Sequence, residues 1–440
     1  MINEFTKNIA ITFTTKIVTI ILSLIVAIII ARFLGPEKQG IYSLTILLPA
    51  LLLTFTNFGI NQATVYYVCK NKYDTKEVFG NNIFYVFFVS IFAISIGMII
   101  VFFLKDWLFP GIERVYLLFA LIAIPFQLFL SYINNILLGL GKIKKFNLIL
   151  FSQPLFFLLM ALMTLIFFGA SFGILSLVIA EIFSLVLAEV ILFSWARKET
   201  KGVSFAFNKS YFKDAFLFGG TIYLGNFFSF LLQRTSLILT NVFLNPASAG
   251  LYAIATGAAE KLWLFALSVE TMLFPKIASE NDPNHLKEFT PLICRNLLLI
   301  VAIASLFFFF ISRWLIILLF SKTYADSVGI FQILLIGVAA VSVSRILAND
   351  IAGRGRPIVN VYLNMGIAVL NIILNIILIP LFGAEGAAWA TTISYIVLFV
   401  CGLAIYGRIS NNRLVDVVIA KKSDIAYYKN LLSMILKPKA

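Results

Sequence analysis

The sequence predicts an all-α integral membrane protein: twelve transmembrane helices in two six-helix lobes, related by a pseudo-two-fold axis along the membrane normal. Three observations predict it. The 440 residues are 61% hydrophobic and only 12% charged, with a mean hydropathy of +1.01. A soluble domain carries about 25% charged residues, so this much apolar surface needs lipid as its solvent. Apolar runs of spanning length, roughly 20 residues each, recur along the whole chain. And the chain repeats itself. Residues 33–44 read FLGPEKQGIYSL and residues 243–254 read FLNPASAGLYAI, with Phe33/Phe243, Leu34/Leu244, Pro36/Pro246, Gly40/Gly250 and Tyr42/Tyr252 at matching places. Gly139-Leu140-Gly141-Lys142 is echoed by Gly353-Arg354-Gly355-Arg356, and Phe168-Gly169-Ala170 by Phe382-Gly383-Ala384. Three echoes at nearly one spacing mean two homologous halves, the usual construction of a transporter that opens alternately to the two sides of a bilayer.

The spans fall at 9–33, 41–68, 80–104, 115–140, 147–168 and 173–195 in the first half. In the second they fall at 215–243, 250–274, 293–319, 328–348, 358–380 and 385–407. The first run has no A-x-A cleavage site and is read as a retained span. Each copy of the repeated dodecapeptide is a tight turn between two spans. Pro49 and Pro125 lie inside the second and fourth spans and are expected to kink them. Six spans per half let both halves enter the membrane in the same direction. The lobes are 1–195 and 215–407, joined by a linker at 196–214 and followed by a basic tail at 408–440. That tail is partly amphipathic through Ile425, Tyr428, Leu431, Leu432 and Ile435, which suits the inner membrane surface.

Lys and Arg set the orientation. One set of loops, including both termini, holds 24 of the 34 basic residues and the other set holds 6. The first set is therefore read as cytoplasmic, with the protein in the cell membrane. Most of the net charge of +14 is this topology signal and needs no nucleic acid. The single histidine, His285, lies in a loop, the three cysteines imply no disulfide framework, and no Cys/His cluster has metal spacing. No phosphate-binding loop is present, so ATP hydrolysis within the chain is not expected. No cofactor is expected beyond a coupling Na⁺ or H⁺.

Charges at membrane depth carry the functional reading, because an ionisable group there faces a cavity or a partner. Lys16 and Arg345 lie within about two turns of the cytoplasmic ends, where snorkelling to the interface competes with a cavity role; Glu189 and Glu270 are similar. Arg234 is 13 residues before Ala247 and Glu260 is 13 after it. At 1.5 Å per residue both reach the midplane of one hairpin, where they can meet as a salt bridge. Glu260 and Lys261 point about 100° apart, so one acid cannot easily neutralise both cations. Lys261 or Arg234 is then left to present positive charge to a central cavity, which suits an anionic substrate such as a diphosphate headgroup. Glu181 and Glu260 are the deepest carboxylates available for a coupling ion.

Amide side chains form stripes suited to sugar hydroxyls, which both donate and accept. Asn364, Asn371 and Asn375 share one face of the eleventh span. Asn57 and Asn61 lie beside Gln62 on the second, and Gln127 and Asn134 share a face of the fourth. Interhelical hydrogen bonding is the competing role for each of them.

The run Arg32-Phe33-Leu34-Gly35-Pro36 followed by Gly40-x-Tyr42 resembles the polysaccharide and oligosaccharide repeat-unit flippases, the O-antigen flippase-like branch of the multidrug/oligosaccharidyl-lipid/polysaccharide exporter superfamily. The resemblance continues through Gly250-x-Tyr252, Phe274-Pro275-Lys276, Phe320 to Tyr324, Pro380-Leu381-Phe382-Gly383 and Gly386-Ala387-Ala388. It implies two six-helix lobes around a central cationic cavity, to which Lys16, Arg234, Lys261 and Arg345 are the positions that could contribute. It also implies alternating access that moves polyprenyl-diphosphate-linked glycan from the cytoplasmic to the outer leaflet, with a polysaccharide polymerase or glycosyltransferases as protein partners. The lipid II flippases of the same superfamily usually carry two further helices. An ion-coupled drug or metabolite exporter of the same fold is the alternative; it would favour acidic residues in its cavity. A membrane enzyme would need large outer loops or an embedded histidine, and a scaffold would leave the deep charges unexplained.

Overall fold

The computed structural model describes residues 2–168, 173–263, 266, 283–419, 421 and 424. Among these residues the chain is helical, with no strand. Eight helices are long and apolar enough to cross a membrane, or nine if one bent pair counts as a single span. Large apolar side chains such as Phe103, Ile166, Phe167, Phe310 and Leu318 point outward. Only lipid makes that arrangement favourable.

The first half begins with α1 (Ile2–Thr56), whose helical dihedrals are interrupted at Gly35, φ 71° and ψ 173°. Only glycine adopts such a conformation without strain. Gly35 opens the first copy of the repeated turn, as the sequence predicts. The expected kink at Pro49 is not where the second span breaks. Helical dihedrals continue through Pro49, and the chain unwinds instead at Asn57-Phe58-Gly59 before α2 (Ile60–Cys69). The span expected as one helix over 41–68 is therefore two pieces. The break is fixed by tertiary packing. A side chain at Gly59 would collide with the backbone of Gly219, and one at Gly219 with the backbone of Phe58 and Gly59.

Next come α3 (Thr75–Ile99), capped by Asp74 and prolonged by a π-turn at Ile100–Leu104, and the short α4 (Lys105–Leu108). A fourth span is built from α5 (Arg114–Leu121) and α6 (Ala123–Gly139). Its interruption at Ile122 lies just before Pro125, which has no N–H for the carbonyl of Leu121. The half closes with α7 (Ile143–Phe168) and α8 (Ile174–Glu199).

The second half opens with α9 (Lys209–Phe243), which bends by 50° between Lys209–Gly220 and Tyr223–Phe243. After the second copy of the turn, α10 (Pro246–Ala259) is capped by Asn245 and tightens into a 3₁₀ turn at Glu260–Trp263. There follow α11 (Pro283–Phe320), α12 (Ser327–Gly353), α13 (Pro357–Ser410) and the short α14 (Leu414–Val418). The 54 residues of α13 would run about 80 Å if straight, far beyond the hydrocarbon core. They instead reverse at Gly383, φ 60°, so that Gly386 packs against the backbone of Leu378. Glu270, Lys276 and the tail's amphipathic residues from Ile425 onward lie outside the described residues, as does the echo residue Gly169.

The halves meet along their length, and most closely at its two ends. At the repeated turns, Gly40 packs on the backbone of Pro246 and Gly250 on that of Pro36. Nearby, Arg32 donates to the carbonyls of Leu318 and Leu319 at the end of α11, the latter at 2.8 Å. Tyr324 donates to the carbonyl of Ala31 at 3.1 Å, and Asn241 to that of Pro110 at 3.0 Å. At the opposite end, residues 200–208 are strapped to the first half. Buried Asn81 donates to the carbonyl of Ala206 and accepts from the backbone of Asn208. Just beyond, Tyr211 donates to Asn82, Phe212 stacks on Tyr85 with ring centres 4.0 Å apart, and Lys72 pairs with Asp214. The first turns of α9 thus dock on α2 and α3, while its later turns pack with α10 and α13.

Candidate functional site

The 3₁₀ turn at Glu260–Trp263 gathers most of the deep charges. A 3₁₀ helix turns 120° per residue, so successive side chains leave in well-separated directions. Glu260 accepts from Arg234 Nη2 at 3.1 Å, back across the α9–α10 hairpin. Lys261 leaves the other way and donates from Nζ to Ser23 Oγ of α1 at 3.2 Å. Trp263 is buried, with the Arg345 guanidinium of α12 over its ring at 5.2 Å and Tyr395 of α13 edge-on at 6.4 Å. Lys16 is one heptad before Ser23, so it shares the α1 face that Lys261 touches. Arg234, Lys261, Arg345 and the Lys16 face of α1 are thereby linked through four residues of one turn. Glu260 is taken up by Arg234, and its second oxygen, Oε1, is buried with no hydrogen-bond partner.

Beside this hub a cavity of about 480 Å³ lies within the second half, between α9, α12 and both arms of α13. Arg345 lines it, as do Asn226 and Gln233 of α9, Asn349 of α12, and Asn360 and Asn364 of α13. Four of these five amides anchor one N–H. Asn349 donates to the carbonyl of Arg345 at 3.0 Å, Asn360 to that of Ala348 at 2.7 Å, Asn364 to that of Gly225 at 3.5 Å, and Gln233 to Ser229 Oγ at 3.2 Å. Asn360 Oδ1 is buried with no partner.

The remaining amides have other surroundings. Asn371 and Asn375 are fully buried in a polar knot below the cavity. Asn375 donates to Ser236 Oγ at 3.0 Å, Asn371 to Ser394 Oγ at 3.2 Å, and Ser236, Thr391 and Tyr252 complete the knot. Asn134 is also buried and donates to the carbonyl of Phe146 at 3.3 Å. Asn61 donates to Ser131 Oγ at 2.7 Å, and the carbonyl of Asn57, at the helix break, accepts from Tyr132 at 3.4 Å. The side-chain oxygens of Asn57, Asn61 and Gln62 are buried without partners. In the first half, Glu181 accepts from Gln127 at 3.3 Å. Among the described residues no group of three His, Cys, Asp or Glu side chains could hold a metal ion.

Sequence reading did not single out Ser23, Trp263, Asn226, Gln233, Asn349 or Asn360. A signal for the amides was present. Asn226, Ser229 and Gln233 are spaced three and four apart, and Arg345/Asn349 and Asn360/Asn364 four apart. Each set therefore marks one helix face. What the spacing lacks is which faces converge.

A helical bundle of this kind, with several apolar spans and charges buried between them, is a multi-pass membrane protein. Residues 29–329 match the model of the polysaccharide biosynthesis protein family, and the chain belongs to that family. It is 24% identical over 425 residues to the capsular polysaccharide biosynthesis protein CapF of Staphylococcus aureus, covering 92% of this chain and 99% of that one. It is 25% identical over 228 residues to the probable low-salt glycan biosynthesis flippase Agl15 of Haloferax volcanii, covering 50% and 47% of the two chains. Among solved structures, the lipid II flippase MurJ in an inward closed conformation superposes with a TM-score of 0.74 at 15% identity, over 97% of this chain and 93% of that one. An inward-facing multidrug resistance MATE transporter of the MOP superfamily superposes with a TM-score of 0.71 at 13% identity, over 89% and 94%. These two likenesses are likenesses of fold. Family and neighbours are transport proteins rather than enzymes.

Proposed function

We propose that the protein is a flippase that carries polyprenyl-diphosphate-linked oligosaccharide from the cytoplasmic to the outer leaflet, for the assembly of surface polysaccharide. The observation that carries this reading is the divergence of Glu260 and Lys261. Glu260 closes on Arg234, while Lys261 crosses to Ser23 of the other half. A cation held by a hydroxyl at the seam between two halves suits a diphosphate, which would displace that weak neutral partner with a charge-assisted bond. Lys16, Arg234 and Arg345 add positive charge around the same turn.

Counting the two arms of α1 and of α13 separately, and the bent α9 as one span, gives eleven crossings among the described residues, six in the first half and five in the second, and α10 would supply the twelfth. The two copies of the repeated turn then lie at one end, and the strapped segment 200–208 at the other. On the distribution of Lys and Arg, the strapped end is cytoplasmic and the turns face outward. The contacts among Gly40, Gly250, Arg32 and Tyr324 then close the outer side, and alternating access consists of parting them. Glu181 and Glu260 are the carboxylates available to a coupling Na⁺ or H⁺. Asn57, Asn61 and Asn364 are the sugar-facing candidates with polar atoms near a break or cavity; Asn134, Asn371 and Asn375 are enclosed in this conformation. An exporter of small molecules shares the fold, and among the described residues the two cations Arg234 and Lys261 flank the single carboxylate of Glu260, which favours the anionic substrate.

The test is mass spectrometry of lipid-linked glycans in cells lacking this gene. Accumulation of an unflipped polyprenyl-diphosphate oligosaccharide is expected. The wild-type gene should clear it, and Lys261→Ala or Arg234→Ala should clear it poorly at equal protein level. An unchanged lipid pool sinks the flippase reading, and full rescue by both variants sinks the cationic site.

A further inference from the structure

The cavity beside the charged turn has a chemistry of its own. Its amides are not free to rotate. Asn349, Asn360 and Asn364 each spend a donor on a backbone carbonyl, and Gln233 spends one on Ser229. With one N–H of each held by the scaffold, the orientation of these amides is set, and the lining offers an occupant amide oxygens together with the remaining N–H groups. Asn226 is exposed on the same surface. Between the amides lie the apolar walls of Leu232, Val341 and Leu398. A surface of amides alternating with aliphatic patches matches a sugar, whose hydroxyls donate and accept at the ring edge while its C–H faces are apolar. The volume of about 480 Å³ lies in the range that encloses a ligand of drug size, room for a short saccharide.

The cavity also adjoins the charges. Gln233 precedes Arg234 in α9, and Arg345, which lines the cavity, stacks on Trp263, two residues from Lys261. We propose that this cavity is the subsite for the first uncharged sugar units of the glycan. In it, Asn226, Gln233 and Asn349 hydrogen-bond the sugars while the diphosphate rests at Lys261. The proposal rests on the flippase reading given above. It places the sugars inside the second half rather than in the seam between halves.

The test is a binding competition by native mass spectrometry. The full chain in detergent micelles is offered undecaprenyl diphosphate or polyprenyl-diphosphate glycan extracted from the cells of origin. The wild type should prefer the glycan-bearing lipid. Asn226→Leu and Asn349→Ala should each lower that preference, by roughly three- to tenfold for each hydrogen bond removed, and leave binding of bare undecaprenyl diphosphate unchanged. Retention of bare-lipid binding also reports a folded protein, and Asn226→Leu alters an exposed side chain. Wild-type preference in both variants overturns the subsite. So does a wild type that binds both lipids equally, a result that leaves the diphosphate site and the flippase reading standing. A wild type that binds neither lipid overturns the flippase reading, and the subsite with it.

Discussion

Gly40 and Gly250 occupy each other's turns: Gly40 lies on the backbone of Pro246, four residues before Gly250, and Gly250 lies on the backbone of Pro36, four residues before Gly40. The contact is reciprocal because the two turns are copies, and a pair of equivalent surfaces packs symmetrically about a two-fold axis. Neither site has room for a methyl group, since the neighbouring atoms are backbone. Gly40→Ala and Gly250→Ala should each cost about 1–3 kcal/mol of stability through overpacking. They should also part the two turns. Thermal unfolding in detergent checks the first effect. Labelling of a Ser248→Cys reporter by a membrane-impermeant maleimide checks the second, and unchanged labelling would show that the turns do not form the seal.

Arg234 and Glu260 should be energetically coupled. Removing one partner leaves a lone charge at membrane depth, where it is costly. Glu260→Ala and Arg234→Ala should each destabilise the protein, and the double variant should recover part of the loss. A coupling of about 0.5–3 kcal/mol is expected for groups in one ion pair. A double-mutant cycle on unfolding in detergent measures it, and strict additivity would mean that the 3.1 Å contact contributes nothing.

The strap at 200–208 depends on Asn81. Its side chain is fully buried and ties the carbonyls of Glu77 and Ala206 to the backbone N–H of Asn208. Asn81→Ala would leave these groups unpaired, at about 1–3 kcal/mol. Limited trypsin digestion should then cut faster at Lys201 or Lys209. Cleavage at the wild-type rate would assign the docking of the first turns of α9 to Tyr211, Phe212 and Asp214 instead.

The end of the described chain is held by a bidentate ion pair. Arg295 donates to both carboxylate oxygens of Asp424, at 2.9 and 2.7 Å, and the backbone N–H of Lys421 donates to Asp424 Oδ2 at 2.9 Å. The Arg295 guanidinium holds the Asp424 carboxyl below the usual aspartate range. A carboxyl depressed in the folded state stabilises above its unfolded pKa, about 3.9. That contribution fades as pH falls through the folded value. The protection of Leu414–Val418 against hydrogen exchange, taken relative to the intrinsic rate at each pH, should therefore be high at neutral pH and fall in acid below that range. Asp424→Asn should show low protection at neutral pH that changes little in acid. Equal protection in the variant and the wild type would show that Asp424 does not hold this segment.

Much of the architecture was legible in the sequence because lipid imposes its demands locally. A run of about 20 apolar residues needs no distant partner to be a span, and a turn declares itself by its own residues, as Gly35 does in the first copy of the dodecapeptide and Gly383 does between the last two spans. The approach of Arg234 to Glu260 was legible too, since a hairpin of fixed rise fixes which depths coincide. The divergence of Lys261 followed from helical geometry, although its partner, Ser23, lies 238 residues away and had no local signal.

The tertiary structure alone decided the rest. Pro49 is a helix-bending residue in isolation, yet its helix runs on and breaks at Gly59, where the backbone of Gly219 demands the space. Asn364, Asn371 and Asn375 share one face of α13 and are indistinguishable by spacing. Ser236 of α9 takes Asn375 and Asn371 into a closed knot, while Asn364, two turns away on the same face, lines the cavity beside Gly225 of α9. Helical periodicity fixes which residues share a face; only the packing of three helices remote in sequence fixes whether that face is closed against a neighbour or lines a space.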